Sequence, residues 1–503
     1  MTNHLYDALF APHAASDRVF LDLPGGEVLR YGDFIAQSAR YAHALRASGL
    51  KPGDRLALQL EKSPAMLAVI AASIQAGIVF LPLNPAYTPA EIAYFVKDAG
   101  AAMLLCDGAF ATALTPVAQA AGALLATLNA DATGSFADTA RAQPGSFPTQ
   151  PRGADDLAAF LYTSGTTGRS KGAMLSHDNL LSNAVVLTEA WQFTSDDVLL
   201  HALPIFHTHG LFVATNVALL AGARMIFLPK FDADQVIVHL PRATTMMGVP
   251  TFYTRLLADA RLTRGLTGHM RLFVSGSAPL LADTHRQWQD RTGQIILERY
   301  GMTETNMNTS NPYAGARRAG TVGQPLPGVE VKICDEGGAT LPHGEVGVIE
   351  VRGANVFQGY WQMPEKTRAE LRESGFFITG DLGVMDAEGY VTIVGRAKDL
   401  VISGGFNIYP KELEELIDAL PGVLESAVVG VPHPDFGEAV VAVVVPQKGA
   451  DLQAAAILAD LAPNLARFKQ PKHIEIRADL PRNTMGKVQK NLLRQDLAGL
   501  FQG

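Results

Sequence analysis

Residues 160–175 read FLYTSGTTGRSKGAML, a stretch that holds three glycines, five serines or threonines and two cations between apolar flanks. Gly165, Gly168 and Gly172 let the backbone bend tightly and aim N–H groups at an anion, while Ser164, Thr166 and Thr167 add hydroxyl donors and Lys171 adds charge. The kinase-type pattern G-x-x-x-x-G-K-[ST] fails, because Ser170 precedes Lys171 and Gly172 follows it. The AML that comes next reads as a strand, whereas a P-loop opens a helix. The stretch is therefore expected to hold a polyphosphate for a reaction other than γ-phosphoryl transfer.

Outward from this loop, apolar strand-like runs alternate with helical stretches up to about residue 395: RLALQL, IVFLPL, AAMLLC, AAFLYT, DVLLHALP, ARMIFLP, TTMMGVP, RLFVSGSAP and QIILERYG. That alternation predicts a large α/β unit with buried, mostly parallel sheets. After Val331 the pattern turns to short strands with glycine-containing turns, an accessory β region. The last hundred or so residues read as a small α+β module, with KELEELIDAL as an amphipathic helix and AVVAVVVPQ as a strand. The boundary is expected at GRAKD, giving domains 1–395 and 396–503.

Lys plus Arg number 41 against 49 Asp plus Glu, a net charge of −8, which argues against a general nucleic-acid or anionic-membrane binder. Cys106 and Cys334 stand at no metal-ligand spacing, so no structural zinc or disulfide framework is expected, and a reducing, cytoplasmic setting is. The uncharged run AMLAVIAASIQAGIVFLPL, 65–83, is long enough to cross a bilayer, but Ser73, Gln75 and Gly77 interrupt it. A helix end followed by a buried strand is expected there, and no membrane span.

TSGTTGRSKG resembles the signature loop of the adenylate-forming superfamily, which includes acyl-CoA synthetases, luciferases and peptide-synthetase adenylation domains. Further motifs of that superfamily follow in order: PIFHTHG at 204–210, GVP at 248–250, SGSAPL at 275–280, ERYGMTET at 298–305, ITGD at 378–381, GRAKDLVISGGFNIYPKELE at 395–414 and PRNTMGK at 481–487. The resemblance implies an ATP-dependent acid–thiol ligase in which a carboxylate attacks the α-phosphate, pyrophosphate leaves, and a thiol intercepts the acyl-adenylate. It also implies a large N-terminal domain and a small mobile C-terminal one. Both steps develop charge on oxygen, a demand met by fixed donors and a metal rather than by a protein nucleophile.

By the same resemblance Thr163, Ser164, Gly165, Thr166, Thr167, Gly168 and Lys171 hold the ATP phosphates, and Thr303 offers its hydroxyl to the α-phosphate. Glu304 is the expected Mg²⁺ ligand, since that ion keeps several waters and takes few carboxylates. Gly276, Ser277 and Ala278, with Tyr300, border the adenine, Gly301 and Met302 belong to the same ATP site, and Asp381 flanked by Arg396 takes the ribose hydroxyls. Lys398 falls at the hinge, Ser403, Gly404 and Gly405 at the CoA tunnel, and Lys487 is the lysine of the mobile domain that bridges carboxylate and α-phosphate. A lysine acetyltransferase and deacetylase acting on Lys487 are expected regulatory partners, because acetylation removes its charge.

For the acid, His207 is expected at the pocket mouth and the helix after GVP in the pocket wall. Arg255 on that helix, if it faces the pocket, needs an anion to neutralise it, which a second carboxylate on the substrate supplies. GVPTFYTRL, HTHG and TETNMNTSNP are similar to malonyl-CoA synthetases, with Ser277, Thr208 and Met307 as further pocket residues, so the expected substrates are malonate, with methylmalonate tolerated, ATP and CoA. Open alternatives are a ligase for a short, medium or aryl monocarboxylic acid, a non-catalytic nucleotide sensor, and an adenylation domain that loads a carrier protein.

Overall fold

The structure is a computed structural model that describes residues 2–163, 170–403, 406–463, 465–483 and 486–501. Two sheets carry the larger, N-terminal part. One has six strands in the order Leu124–Thr127, Met103–Cys106, Arg55–Gln59, Val79–Pro82, Leu157–Thr163 and Lys171–Ser176, parallel except for the last pair. The other has nine strands and a parallel centre in which Leu297–Met302, Leu272–Ser275, Thr245–Gly248, Val198–His201, Arg224–Phe227 and Val19–Asp22 lie side by side. Strands such as Val79–Pro82 and Met103–Cys106 are buried along their whole length, so both faces need apolar residues and the sequence runs are continuous rather than alternating.

The uncharged run from 65 resolves into the helix Pro64–Ala76, in which every residue from Ala65 to Ala76 is buried, and the strand Val79–Pro82. Ser63 caps the helix by accepting from the Met66 N–H. Among the described residues, no helix is long and apolar enough to cross a membrane. An antiparallel sheet of four strands follows, Glu330–Cys334, Gly347–Arg352, Phe377–Met385 and Val391–Arg396.

The chain leaves that sheet at Arg396, makes one 3₁₀ turn over Ala397–Asp399, and enters a sheet of five strands at Val401–Ser403. Its centre is the long pair Val423–His433 and Gly437–Pro446, whose side chains alternate between two cores. Val428, Val440, Ala442 and Val444 pack on Leu413, Ile417, Ile457 and Leu461, whereas Val429, Val441 and Val443 pack on Leu480, Leu493 and Leu497. The protein is thus an α/β chain with a large N-terminal domain and a smaller C-terminal domain that holds its own two-sided core.

The parallel centre of the nine-stranded sheet positions the site. In open α/β sheets ligands bind beyond the carboxyl ends of the strands. Four neighbouring strands end there at His201, Gly248, Ser275 and Met302, and each runs directly into one motif: PIFHTHG, GVP, SGSAPL and YGMTET. The phosphate loop leaves the carboxyl end of Leu157–Thr163 in the other sheet.

Candidate active site

On the nucleotide side, Ser164, Gly165, Thr166, Thr167 and Gly168 lie outside the described residues, and both flanks of the loop are in place. The Thr163 hydroxyl donates to Glu304 Oε1 at 3.4 Å. Lys171 is buried, with Nζ 3.3 Å from Glu370 Oε2 and 4.1 Å from the centre of the Tyr360 ring. The Tyr360 hydroxyl lies 2.7 Å from Glu370 Oε2 and 3.0 Å from Glu304 Oε1, so its one proton serves one carboxylate at a time. Burial and then the Glu304 charge hold the Tyr360 phenol well above its usual range. Burial works against ionisation of Glu370, but Lys366, Tyr360 and Lys171 together keep its carboxyl below the usual value. Glu370 and Tyr360 escaped sequence reasoning, since neither belongs to a phosphate motif.

Glu304 is 5 % exposed, and among the described residues the hydroxyls of Thr163 and Tyr360 lie within hydrogen-bond distance of its Oε1. Among the described residues, no three His, Cys, Asp or Glu side chains gather into a metal cluster. One carboxylate amid hydroxyls, beside a phosphate loop, suits a hard cation whose remaining ligands are water and phosphate oxygens.

Asp381 and Arg396 face each other across adjacent strands, with Arg396 Nε 2.6 Å from Asp381 Oδ1. Burial works against the Arg396 charge, but Asp381 and its neighbours raise its pKa overall. Tyr300, expected at the adenine border, directs its hydroxyl to Asp381 Oδ2, so it orients that carboxylate.

The acid side is built around a residue that the sequence reasoning did not select. Arg299 sits within the strand Leu297–Met302, 4 % exposed, and among the described residues its Nε and Nη2 have no hydrogen-bond partner. Its guanidinium lies across Gly276, where an added Cβ would come within 2.4 Å of the guanidinium carbon, so only glycine leaves it room. Burial pushes Arg299 down to about 9. Burial and then Arg299 push His207 down to about 4 and hold His209 well below its usual range, which leaves both imidazoles neutral at neutral pH.

Ser277 adopts a φ of 73°, a left-handed conformation that costs a non-glycine residue about 1–3 kcal/mol and is tolerated mainly at functional sites. It brings the Ser277 hydroxyl to 3.2 Å from His209 Nδ1. Among the described residues, Thr208 Oγ1 and His209 Nε2 are buried without partners, like the two Arg299 nitrogens. Buried polar atoms in proteins are nearly always paired, so this concentration of four unpaired ones marks a place prepared for a polar ligand. Met307 is buried on the strand Asn306–Ser310, fixed through its backbone to the Asn183 amide at 2.9 and 3.2 Å.

Arg255 requires a correction. The helix Pro250–Leu257 buries Phe252, Tyr253 and Leu256, and Arg255 points off that face: it is exposed, 6.0 Å from the centre of the Phe231 ring. The desolvation argument that selected Arg255 therefore belongs to Arg299 instead.

The C-terminal domain brings Lys487 to the same cleft. Gly486 stands against Thr251 at the start of the helix after GVP, at 3.4 Å from an ideal Cβ. The Lys487 side chain is exposed to the open cleft while protein crowds its ammonium, and that crowding, then Arg396, pushes it down to about 8 against the pull of Asp381. Its loop is fixed on three sides: Arg482 binds Glu425, Lys490 Nζ lies 2.6 Å from Glu414, and the Asn483 carboxamide accepts from the Lys487 N–H at 2.9 Å. Lys398 is exposed on the 3₁₀ turn, and Arg494 pairs with its neighbour Asp399 at 2.9 Å. Ser403 is buried at a strand end, and Gly404 and Gly405 lie outside the described residues. Thr303, Gly301 and Met302 are half-buried at the mouth of the central strand.

Comparison with known proteins agrees with this arrangement. The AMP-binding enzyme family matches residues 11–361 and the AMP-binding enzyme C-terminal domain matches 412–487. The chain is 38% identical to a feruloyl-CoA synthase of Amycolatopsis over 97% of each chain, and 35% identical to a malonate–CoA ligase of Arabidopsis thaliana over 89% of this chain and 79% of that one. Its fold superposes on ATP-bound MatB from Rhodopseudomonas palustris with a TM-score of 0.98, at 56% identity and full coverage of both chains. The apo form of that protein gives 0.86 at the same identity and coverage, so the chain superposes better on the ATP-bound form. The chain belongs to the AMP-binding, adenylate-forming family and is an acid–thiol ligase that uses ATP and CoA.

Proposed function

We propose that the acid is malonate, with methylmalonate tolerated, converted to malonyl-CoA with release of AMP and pyrophosphate. The observation that carries this reading is Arg299, a buried guanidinium that, among the described residues, has two unpartnered nitrogens and no carboxylate paired with it. An unpaired buried charge costs several kcal/mol, and a distal carboxylate on the substrate offsets that cost where a monocarboxylic acid leaves it standing. Ser277, Thr208 and the neutral His207 and His209 supply further donors to the same carboxylate, and Met307 limits bulk at the methylene. Malonate–CoA ligases among the relatives support the assignment; the feruloyl-CoA synthases keep an aryl acid as its competitor.

In the first half-reaction Lys487 and Thr303 offset charge where the proximal carboxylate meets the α-phosphate. Lys171 and the phosphate loop hold the β- and γ-phosphates, and Asp381, oriented by Tyr300 and Arg396, takes the ribose. Mg²⁺ on Glu304 would neutralise triphosphate oxygens. Ser403, Gly404 and Gly405 admit the thiol in the second half-reaction, with Lys398 in the turn that reorients the small domain. A cytoplasmic location, and control by acetylation of Lys487, complete the proposal.

The test is an acid panel of malonate, methylmalonate, propionate and ferulate with ATP, Mg²⁺ and CoA, following AMP and pyrophosphate. Malonate is expected to have the highest kcat/KM. Preference for ferulate or propionate, or stoichiometric ADP, would sink the assignment.

A further inference from the structure

Outside the residues assigned above, one buried polar pair ties the two large sheets together. Lys62 follows the strand Arg55–Gln59 of the six-stranded sheet, and His201 ends the strand Val198–His201 of the nine-stranded one. Lys62 is 8 % exposed and His201 1 %. Lys62 Nζ donates to His201 Nδ1 at 2.9 Å and to the His201 carbonyl at 2.8 Å, and lies 4.3 Å from the centre of the Phe227 ring.

The far nitrogen of the imidazole meets the acid pocket. His201 Nε2 lies 2.8 Å from the Gly210 carbonyl. A carbonyl only accepts, so Nε2 carries the proton and Nδ1 is left to accept from Lys62: the chain of bonds has one polarity. Gly210 belongs to a π-helical turn, His209–Thr215, a rare geometry that recurs at functional sites. The Thr215 hydroxyl donates to the same carbonyl at 2.8 Å. An added Cβ on Gly210 would fall 2.0 Å from the Pro204 carbonyl oxygen, so this turn is wedged against the loop that leads into it. Thr208 and His209, two of the residues with buried atoms unpaired among the described residues, immediately precede Gly210 in the chain.

We propose that Lys62 and His201 are positioning residues of the acid pocket: they fix the Gly210 carbonyl and thereby set where Thr208 and His209 stand against the substrate. Stability alone does not account for a buried lysine here, since replacing buried charged groups by apolar ones of like shape is often neutral or stabilising. The inference rests on the acid-pocket assignment but not on which acid fills it.

The test compares Lys62→Met, His201→Leu and His201→Gln with the wild type, using the acid the wild type takes best, so that failure of the malonate reading is seen separately in the unmutated enzyme. Lys62→Met is expected to keep or raise Tm, to raise KM for the acid by about tenfold, as loss of an oriented hydrogen bond does, and to leave KM for ATP unchanged. His201→Gln, whose amide offers an acceptor and a donor at its two ends, is expected to retain most of the wild-type acid KM, whereas His201→Leu loses it. The proposal is overturned if Lys62→Met leaves the acid KM within about twofold, if kcat falls equally for all acids along with Tm, or if the Gln and Leu variants behave alike.

Discussion

Two arginines, Arg396 half-buried and Arg299 fully buried, are treated in opposite ways. Arg396 meets Asp381 at 2.6 Å, and the protein raises its affinity for a proton; among the described residues Arg299 meets no carboxylate, and burial pushes it down to about 9. The nucleotide side therefore comes with its charges already matched, so that ATP inserts into a finished network. The acid side is left one anion short. On the proposed reading, specificity for the acid resides in that imbalance, because a substrate without the second charge leaves the guanidinium desolvated and alone.

The largest effect expected from breaking this contrast is at Lys487, which works between the two sides. Lys487→Ala should lower adenylate formation by about 10²–10³-fold, the loss typical of removing a donor aimed at developing charge, while conversion of supplied acyl-adenylate with CoA stays largely intact. If both half-reactions fell equally with the fold preserved by circular dichroism, the lysine would not be specific to the first.

Next is Arg299→Met. Loss of the buried charge partner should cut kcat/KM for malonate by about 10²-fold, with much less loss for propionate. Tm should hold or rise, because an unpaired buried cation is removed. A fall in Tm with equal losses for both acids would make Arg299 structural and end the contrast.

A smaller effect sharpens it through pH. The Lys487 ammonium is pushed down to about 8, and its protonated form is the one that offsets charge. Adenylation should thus be full below about pH 7 and fall by about tenfold per unit well above pH 8, while the thioester step from supplied adenylate stays flat over that range. A thioester step with the same alkaline limb would point to another group.

The smallest effect belongs to Arg255→Ala. An exposed guanidinium contributes little, so kcat/KM for malonate should change by less than about fivefold. A loss matching that of Arg299→Met would return Arg255 to the pocket.

The order of motifs carried most of this architecture, since PIFHTHG, GVP, SGSAPL and the glycine-rich loop after Thr163 each follow an apolar run that proves to be a parallel strand. Arg255 was open to a stricter reading: Phe252, Tyr253 and Leu256 mark the buried face of its helix, and position 255 falls off it. A signal for Arg299 also existed, in the adjacent charges Glu298 and Arg299 inside QIILERYG, a run otherwise suited to a buried strand. What the sequence could not reveal is Gly276 beneath the guanidinium, because the two positions meet only when neighbouring strands are aligned. The same holds for Glu370 and Tyr360, which reach Lys171 across nearly two hundred residues of chain.

The ion pair between Asp399 and Arg494 has a mechanical consequence. Lys487 lies on a loop pinned by Arg482 and Lys490, and the helix Lys490–Leu497 that follows is fastened by Arg494 to the turn at Ala397–Asp399. On the roles proposed for the turn and for Lys487, the fulcrum and the working end of the small domain are thus linked by ion pairs. Torsion at the turn is then expected to reach the lysine as displacement, so cutting the pair with Arg494→Met should decouple the two. The half-reactions would then lose their order in time before either lost its chemistry.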